Sequence, residues 1–285
     1  MAFDNAFIGY RNYFTASSSS LSAVGVSSDF SANSLKNWQA FDYCQFDAGS
    51  NRYIQIDCGY AVDIDYFALA AHELFTANCT NITLKGSNVS NFATSTTLAT
   101  LTLDNAGTPP VYSGSYKHNT NTAIASQTVE DNPVACLKLD SVNFRYYRLT
   151  FTCAVAVRIG VIAIGQRLEF ELGFYNGAQP PTLNEDVIVT NNKSESGVFL
   201  GRSITRIGAK PVTINLDKLS HDWIYTKWLP FKKSAEVNPF IYSWGNTPLF
   251  NNQLSYQTSF AATKMQDRIG AGHGSVGITF EGVTK

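Results

Sequence analysis

The stretch Asn51–Ala70, NRYIQIDCGYAVDIDYFALA, decides how the first half of this chain is read. Ile54, Ile56 and Cys58 fall on one face of an extended backbone, with Tyr53, Gln55 and Asp57 on the other. Successive side chains of a strand point to opposite sides of a sheet, so this alternation predicts a half-buried strand. Gly59-Tyr60 is read as a turn, and Val62, Ile64 and Tyr66 begin a second alternating run. The pair is expected as consecutive strands in the wall of a β-sandwich.

Shorter runs of the same kind follow. Ile82 and Leu84, Leu101 and Leu103, Leu137 and Leu139, and Tyr147, Leu149 and Phe151 are each expected to face a core. Cys153–Ile164 is nearly continuous in apolar residues, is broken by Arg158, and is strand-sized. Asp104–Gly114 carries Gly and Pro and reads as a loop. Beyond Asn184, strands are expected at Asp186–Thr190, Val198–Ile207, Val212–Leu216, Pro239–Trp244, Tyr256–Ala262 and Gly274–Val283. One short helix is expected over Leu219–Leu229, with Ser220 as N-cap and Asp222 in its first turn. Trp223, Trp228 and Trp244 are expected in a core or a subunit interface.

The resulting fold class is all-β with two domains. A jelly-roll β-sandwich over 32–165 is preceded by an arm or leading strand over 1–31. A linker over 166–183 leads to a β-rich, sandwich-like domain with a short helix over 184–285. With 285 residues, 44% of them hydrophobic, there is material for two cores. Charged residues are only 15%, against roughly 25% in a typical soluble protein, and Ser, Thr, Asn and Gly fill the gap.

The net charge of −1 argues against a general nucleic-acid binder, which needs a basic field. No apolar run approaches the roughly 20 residues needed to cross a bilayer, so membrane insertion is not expected. The N-terminus lacks a basic region followed by an apolar core, so no signal peptide is expected. The five cysteines, Cys44, Cys58, Cys79, Cys136 and Cys153, are odd in number and irregularly spaced. A disulfide framework and a zinc site are therefore not expected, and Cys58, Cys136 and Cys153 read as buried free thiols. Asn78, Asn81 and Asn88 each open a glycosylation pattern, which without secretion reads as polar turn sequence.

No catalytic constellation emerges. There is no G-x-S-x-G, and His72-Glu73 does not extend to H-E-x-x-H because position 76 is Thr. Asp63 and Asp65 share a strand face and read as solvated, and Gly270–Gly274 reads as a flexible loop. No enzyme, cofactor or metal is expected. Sugar binding is the stronger candidate, because loops on a rigid sandwich are where sites form. Trp38, His72 and Arg158 are the candidate glycan contacts, each lying near a strand end or interrupting an apolar run. The competing reading makes Trp38 a core plug, His72 an ordinary loop residue, and Arg158 the partner of a carboxylate.

Two resemblances bear on function. Trp38, then Tyr53-Ile54-Gln55-Ile56-Asp57-Cys58-Gly59, Thr83–Ser87 and Arg145-Tyr146-Tyr147-Arg148-Leu149 resemble, in order, the strands of discoidin or coagulation factor 5/8 type C domains. That resemblance implies a galactose-binding-like jelly roll, although the family's usual disulfide has no evident counterpart and the loops match no subgroup. Ser196–Ile204, Trp228-Leu229-Pro230-Phe231, Pro239–Trp244 and Ser275–Gly282 resemble the C-terminal domain of structural tail proteins of long-tailed bacteriophages. This second resemblance implies a virion component near the tail tip or baseplate, made in the host cytoplasm. Its partners would be other tail proteins, copies of itself and host surface carbohydrate. The alternative is a carbohydrate-binding module of a non-viral protein.

Overall fold

The computed structural model describes residues 6–77, 79–101, 111–112, 127–128, 134–171, 186–207, 211–243, 252–268 and 271–282. Among the described residues the chain is all-β with sandwich-like sheets, one continuous helix and two short 3-10 turns. The first strands are β1 (Phe7–Gly9), β2 (Ser20–Val24), β3 (Cys44–Phe46), β4 (Gly49–His72), β5 (Thr80–Ser87) and β6 (Thr96–Leu101). A two-residue pair, β7 (Val111–Tyr112) and β8 (Gln127–Thr128), precedes β9 (Ala135–Cys153), β10 (Val157–Gly165) and β11 (Arg167–Glu169). There follow β12 (Asp186–Lys193), β13 (Phe199–Ile207), β14 (Val212–Ser220), β15 (Phe240–Ser243), β16 (Asn252–Arg268) and β17 (Ala271–Gly282). Asn78, Leu103, Trp244, Val283 and most of the Asp104–Gly114 reading lie outside the described residues.

The organising stretch is one strand, not two. Gly59, at φ +81°, bends β4 without reversing it, and both halves pair antiparallel with β9. The first half also pairs with β2 and the second with β10, while β5 and β6 extend the other side of β9. The seven-stranded sheet so formed curls around its own core. Ile54, Ile56, Cys58, Val62, Ile64, Phe67 and Leu69 all point into it, with Ile82, Leu84, Leu137, Tyr147, Leu149 and Phe151 opposite. A register shift between Ile64 and Tyr66 turns Tyr66 to the outer face, against the simple alternation. Such bulges bend a strand and re-aim the residues beyond them.

That outer face is covered. A second, six-stranded sheet runs β11-β1-β15-β16-β17-β14. Its Phe7, Ile241 and Leu254 pack with Tyr66, Ala68, Ala70, Cys136, Val161 and Ala163 of the first sheet. The opposite face carries Ile8, Phe240, Tyr242, Ile278 and Phe280, and closes on the helix. The molecule is thus a curled sheet, an open sheet and a helix in stacked layers. Phe7–Gly9, from the stretch read as an arm or leading strand, and Arg167–Glu169, from the stretch read as a linker, are both strands of this second sheet.

The helix outruns its sequence-based end. Ser220 caps it as expected, its hydroxyl accepting from the Trp223 N–H at 3.2 Å. One turn, His221–Trp223, widens into a π segment, Ile224–Trp228, before α geometry resumes over Leu229–Ala235. Pro230 has no N–H to give to a carbonyl four residues back, and its ring crowds that carbonyl. The wider turn relieves that conflict, so the helix survives the proline. Trp223, Trp228 and Phe231 then reach the second core.

Two further expectations are corrected. Ala271–Gly274 is not a free loop but the start of β17, paired with Met265–Arg268. Cys79 and Cys153 form a disulfide, with Cα atoms 4.4 Å apart. Seventy-four residues separate them in sequence, which hid the pairing. Register explains it: Thr80 pairs with Thr152, so their outer neighbours meet at the strand ends. Cys44, Cys58 and Cys136 are buried thiols, and burial pushes Cys44 and Cys58 up to about 12.

Candidate functional site

The loop end of the curled sheet gathers three segments. β3 lies beside β10, which places Gln45 opposite Arg158. The turn leaving β4 at His72 runs beside the turn between β9 and β10. The third segment, 37–43, lies over β10 at Gly160, where a side-chain Cβ would come within 2.9 Å of the Ala40 carbonyl oxygen. Opposite Gly160, Ala71 adopts φ +49°, a left-handed conformation that costs a non-glycine residue energy. Strain of this kind persists only where the surrounding packing over-determines it.

Arg158 is exposed and stands at the centre. Its guanidinium lies over the Tyr43 ring, 4.8 Å from the centroid, and its Nε donates to Gln45 Oε1 at 3.2 Å. Tyr43 in turn packs against Phe30, with centroids 5.5 Å apart. The Arg158 backbone N–H donates to Glu73 Oε2 at 3.1 Å, and the Glu73 N–H donates back to the Arg158 carbonyl at 2.9 Å. Glu73 therefore meets the arginine's main chain and leaves the guanidinium to Gln45 and Tyr43.

The 37–43 loop is stiffened from within. Asn37 Nδ2 donates to Asp42 Oδ2 at 2.6 Å, and Asn37 Oδ1 accepts from the Gln39 N–H at 2.8 Å. Phe41, 78% exposed, projects from this rigid loop two residues before Tyr43. Exposing a whole aromatic ring on a constrained loop forgoes its burial and leaves a flat apolar face open to solvent.

The three sequence-derived contacts fall in different places. Trp38 is 7% exposed and belongs to the apolar cluster between the two sheets, with Phe7, Tyr66 and Ile241. His72 is 2% exposed, pairs in register with Ile159, and meets the Phe75 ring edge-on at 4.4 Å. Arg158 alone of the three reaches the surface, where it joins Tyr43, Gln45 and Glu73, while the exposed Phe41 lies two residues along the chain from Tyr43. Those four were missed in the sequence. The usable signal was Phe41-Asp42-Tyr43, an aromatic alternation inside a polar loop.

A second polar and aromatic cluster lies on the outward face of β4 and β9. Arg145 makes a two-pronged contact with Asp57, at 2.8 and 2.9 Å, and that hydrogen bonding holds the carboxyl below its ordinary value. The Arg148 guanidinium sits between the rings of Tyr53 and Phe92, 4.3 and 4.0 Å from their centroids. It also donates twice to Gln55 Oε1, and Gln55 donates to the Ser90 carbonyl. Both faces and one edge of Arg148 are thus taken, and the cluster latches the loop after β5 to the sheet.

Chemically, the loop end offers an arginine edge, an amide, a carboxylate and a bare ring. Such a set suits a ligand with many hydroxyls and an apolar C–H face. Among the described residues no group of three or more His, Cys, Asp or Glu could hold a metal ion.

No protein-family pattern and no characterised protein sequence matches the chain. Among solved structures, it overlaps the carbohydrate-binding module CpGH89CBM32-6 produced by Clostridium perfringens, at 14% identity and a TM-score of 0.35. That overlap covers 54% of this chain and 98% of the module. The family 32 module of C. perfringens NanJ, in complex with galactose, gives 12%, 0.35, 52% and 93% in the same order. The Ruminococcus gnavus GH29 fucosidase E1_10125, in complex with fucose, gives 13%, 0.38, 56% and 27%.

Proposed function

We propose that the chain binds carbohydrate through the loop end of its curled sheet, without transforming it. The observation that carries this reading is the bare Phe41 ring on a braced loop, which two residues further on supplies Tyr43 to the Arg158–Tyr43–Gln45 set. A sugar's C–H face stacks on the ring, while its hydroxyls exchange hydrogen bonds with guanidinium, amide and carboxylate. Each neutral hydrogen bond contributes about 0.5–1.5 kcal/mol net, and one to a charged group about 1.5–3 kcal/mol. Single-site affinity is therefore modest.

The test is a glycan array probed with the purified chain, followed by titration of the best-bound glycan. Phe41→Ala and Arg158→Ala should each weaken binding about tenfold or more, which corresponds to about 1.4 kcal/mol. Phe41 buries little, so its removal should leave stability within about 0.5 kcal/mol. An array without signal, or variants that bind as wild type does, would defeat the proposal.

A second reading, a repeated-copy component such as a phage tail tip, is favoured by a different observation. Among the described residues the ribbon of β12 and β13 pairs only with itself, and Val198, Phe199 and Leu200 near its tip are 60%, 59% and 67% exposed. A lone two-stranded ribbon is marginal in water and gains from a partner surface. The tail assignment itself rests on the sequence resemblance over Ser196–Gly282. In such an assembly, weak sugar contacts on many copies would multiply into avidity some 10²–10⁴ above a single site. Light scattering of wild type against Phe199→Ser tests self-association; a monomer at all concentrations would count against this reading.

A further inference from the structure

We propose that the Cys79–Cys153 disulfide positions the glycan site, so that sugar binding depends on this bond being formed. The inference rests on the carbohydrate-binding reading above. It starts from the way two neighbouring connections are fastened together. One runs from Glu73 to Cys79, between β4 and β5; the other runs from Cys153 to Arg158, between β9 and β10. They are joined at one end by the disulfide and at the other by the reciprocal Glu73–Arg158 hydrogen bonds. The result is a frame with one covalent and one hydrogen-bonded rung, and Arg158 stands on the weaker rung.

Breaking the covalent rung has a defined geometric effect. Bonded sulfurs sit about 2.0 Å apart, whereas non-bonded heavy atoms settle at roughly 3.5–4.0 Å. The two sulfurs must therefore part by an ångström or more. On the inner side they cannot, because Leu74, Phe75, Cys79 and Cys153 are packed in the core with almost no exposure. The movement goes outward, into 73–79 and 153–158, whose rims at Thr76, Ala154 and Val155 are open to solvent. Hydrogen bonds at 2.9 and 3.1 Å weaken with separations of that size. Arg158 then loses the backbone anchor that fixes its guanidinium over Tyr43. The reduction itself balances simply. A small-molecule dithiol supplies two electrons and two protons, the S–S bond becomes two thiols, and the reagent closes to its own cyclic disulfide.

The experiment uses the full chain in three states: oxidised, reduced with a dithiol, and as Cys79→Ala/Cys153→Ala. Each is probed on the glycan array and by amide hydrogen exchange. Oxidised protein should bind, and the other two should bind at least tenfold more weakly. In both, the amides of Glu73, Ala77 and Arg158 should exchange at least tenfold faster, while those of Ile162 and Ile164 stay at least tenfold slower than these three and change only as far as global stability falls. That local pattern separates positioning from a general loss of structure. Equal binding by all three states would overturn the inference and leave the site assignment intact. A wild type that binds no glycan would overturn the site assignment, while unchanged exchange at Glu73 and Ala77 would overturn the inference independently. Should the double variant not fold, Cys79→Ala alone, which keeps the Cys153 side chain in the core, carries the same readouts.

Discussion

Asn12 supports a demanding test of the fold. β3 pairs with β10 only over Val157–Ile159, so the same edge of β10 is left open further along, at Ile162 and Ile164. The Asn12 side chain takes the place of the missing strand. Its Nδ2 donates to the Ile162 carbonyl at 3.0 Å, and its Oδ1 accepts from the Ile164 N–H at 3.3 Å. The same oxygen accepts from the Phe14 N–H at 3.0 Å, capping the short 3-10 turn Tyr13–Thr15. Both isoleucines are fully buried, so water is a poor substitute. Asn12→Ala strands two buried backbone groups at about 1–3 kcal/mol each and removes a cap that contributes about 1 kcal/mol. The expected loss is about 4 kcal/mol, a large part of the 5–15 kcal/mol that holds a typical domain. Urea denaturation followed by tryptophan fluorescence would measure it, with an unchanged m-value showing that the same surface still unfolds. Asn12→Asp sharpens the test, since its carboxylate would face the Ile162 carbonyl. That group's folded pKa is raised, so the variant should be least impaired below about pH 4 and lose stability as pH rises through the raised value. A loss below about 1.5 kcal/mol in Asn12→Ala would refute the idea that one side chain stands in for a strand.

Other consequences are more local. Replacing both Cys79 and Cys153 by Ala should cost about 4 kcal/mol, the chain-entropy value for a loop of this length, read as a fall in Tm under oxidising conditions. Gly165→Ala should cost about 3 kcal/mol in a denaturant titration, because a Cβ there would overlap the Arg11 carbonyl and both groups are main chain or bound to it. The lowered pKa of Asp57 contributes stability above the ordinary carboxylate value of 3.8, and that contribution is lost as pH falls through the lower folded value. Asp57→Asn should therefore flatten the acid limb of the stability–pH curve, and an unchanged limb would show that the Arg145 pair is energetically idle.

The inward set of β4 and β9 was legible because period-two alternation is a local property, and Ile54, Ile56, Leu149 and Phe151 needed no partner to declare their face. Trp38 was weighed as a core plug as well as a glycan contact, and it is buried, but under a second sheet that no local pattern announces. Gly59 looked like a turn residue and is a bend, since its positive φ serves either purpose and only the shared partner β9 decides. Arg158 stood out by interrupting an apolar run. Its companion Gln45 did not, because it stands 113 positions away in sequence and β-sheet register alone makes them neighbours. Glu73 was weighed only as half of a metal motif, whereas its contribution here is to grip a backbone amide.

The placement of β1 bears on how the protein is born. Phe7–Gly9 leaves the ribosome well before its neighbours, for it lies between β11 and β15, which are synthesised more than a hundred residues later. The curled sheet can close as soon as β10 emerges, while the opening segment waits with Phe7 and Ile8 unburied. Pairing across such a sequence distance is slow, and exposed apolar strands are prone to wrong partners in the meantime. Translation speed and chaperone supply should thus govern the yield of native protein, and deleting Phe7–Gly9 should spoil the last sheet while sparing the first.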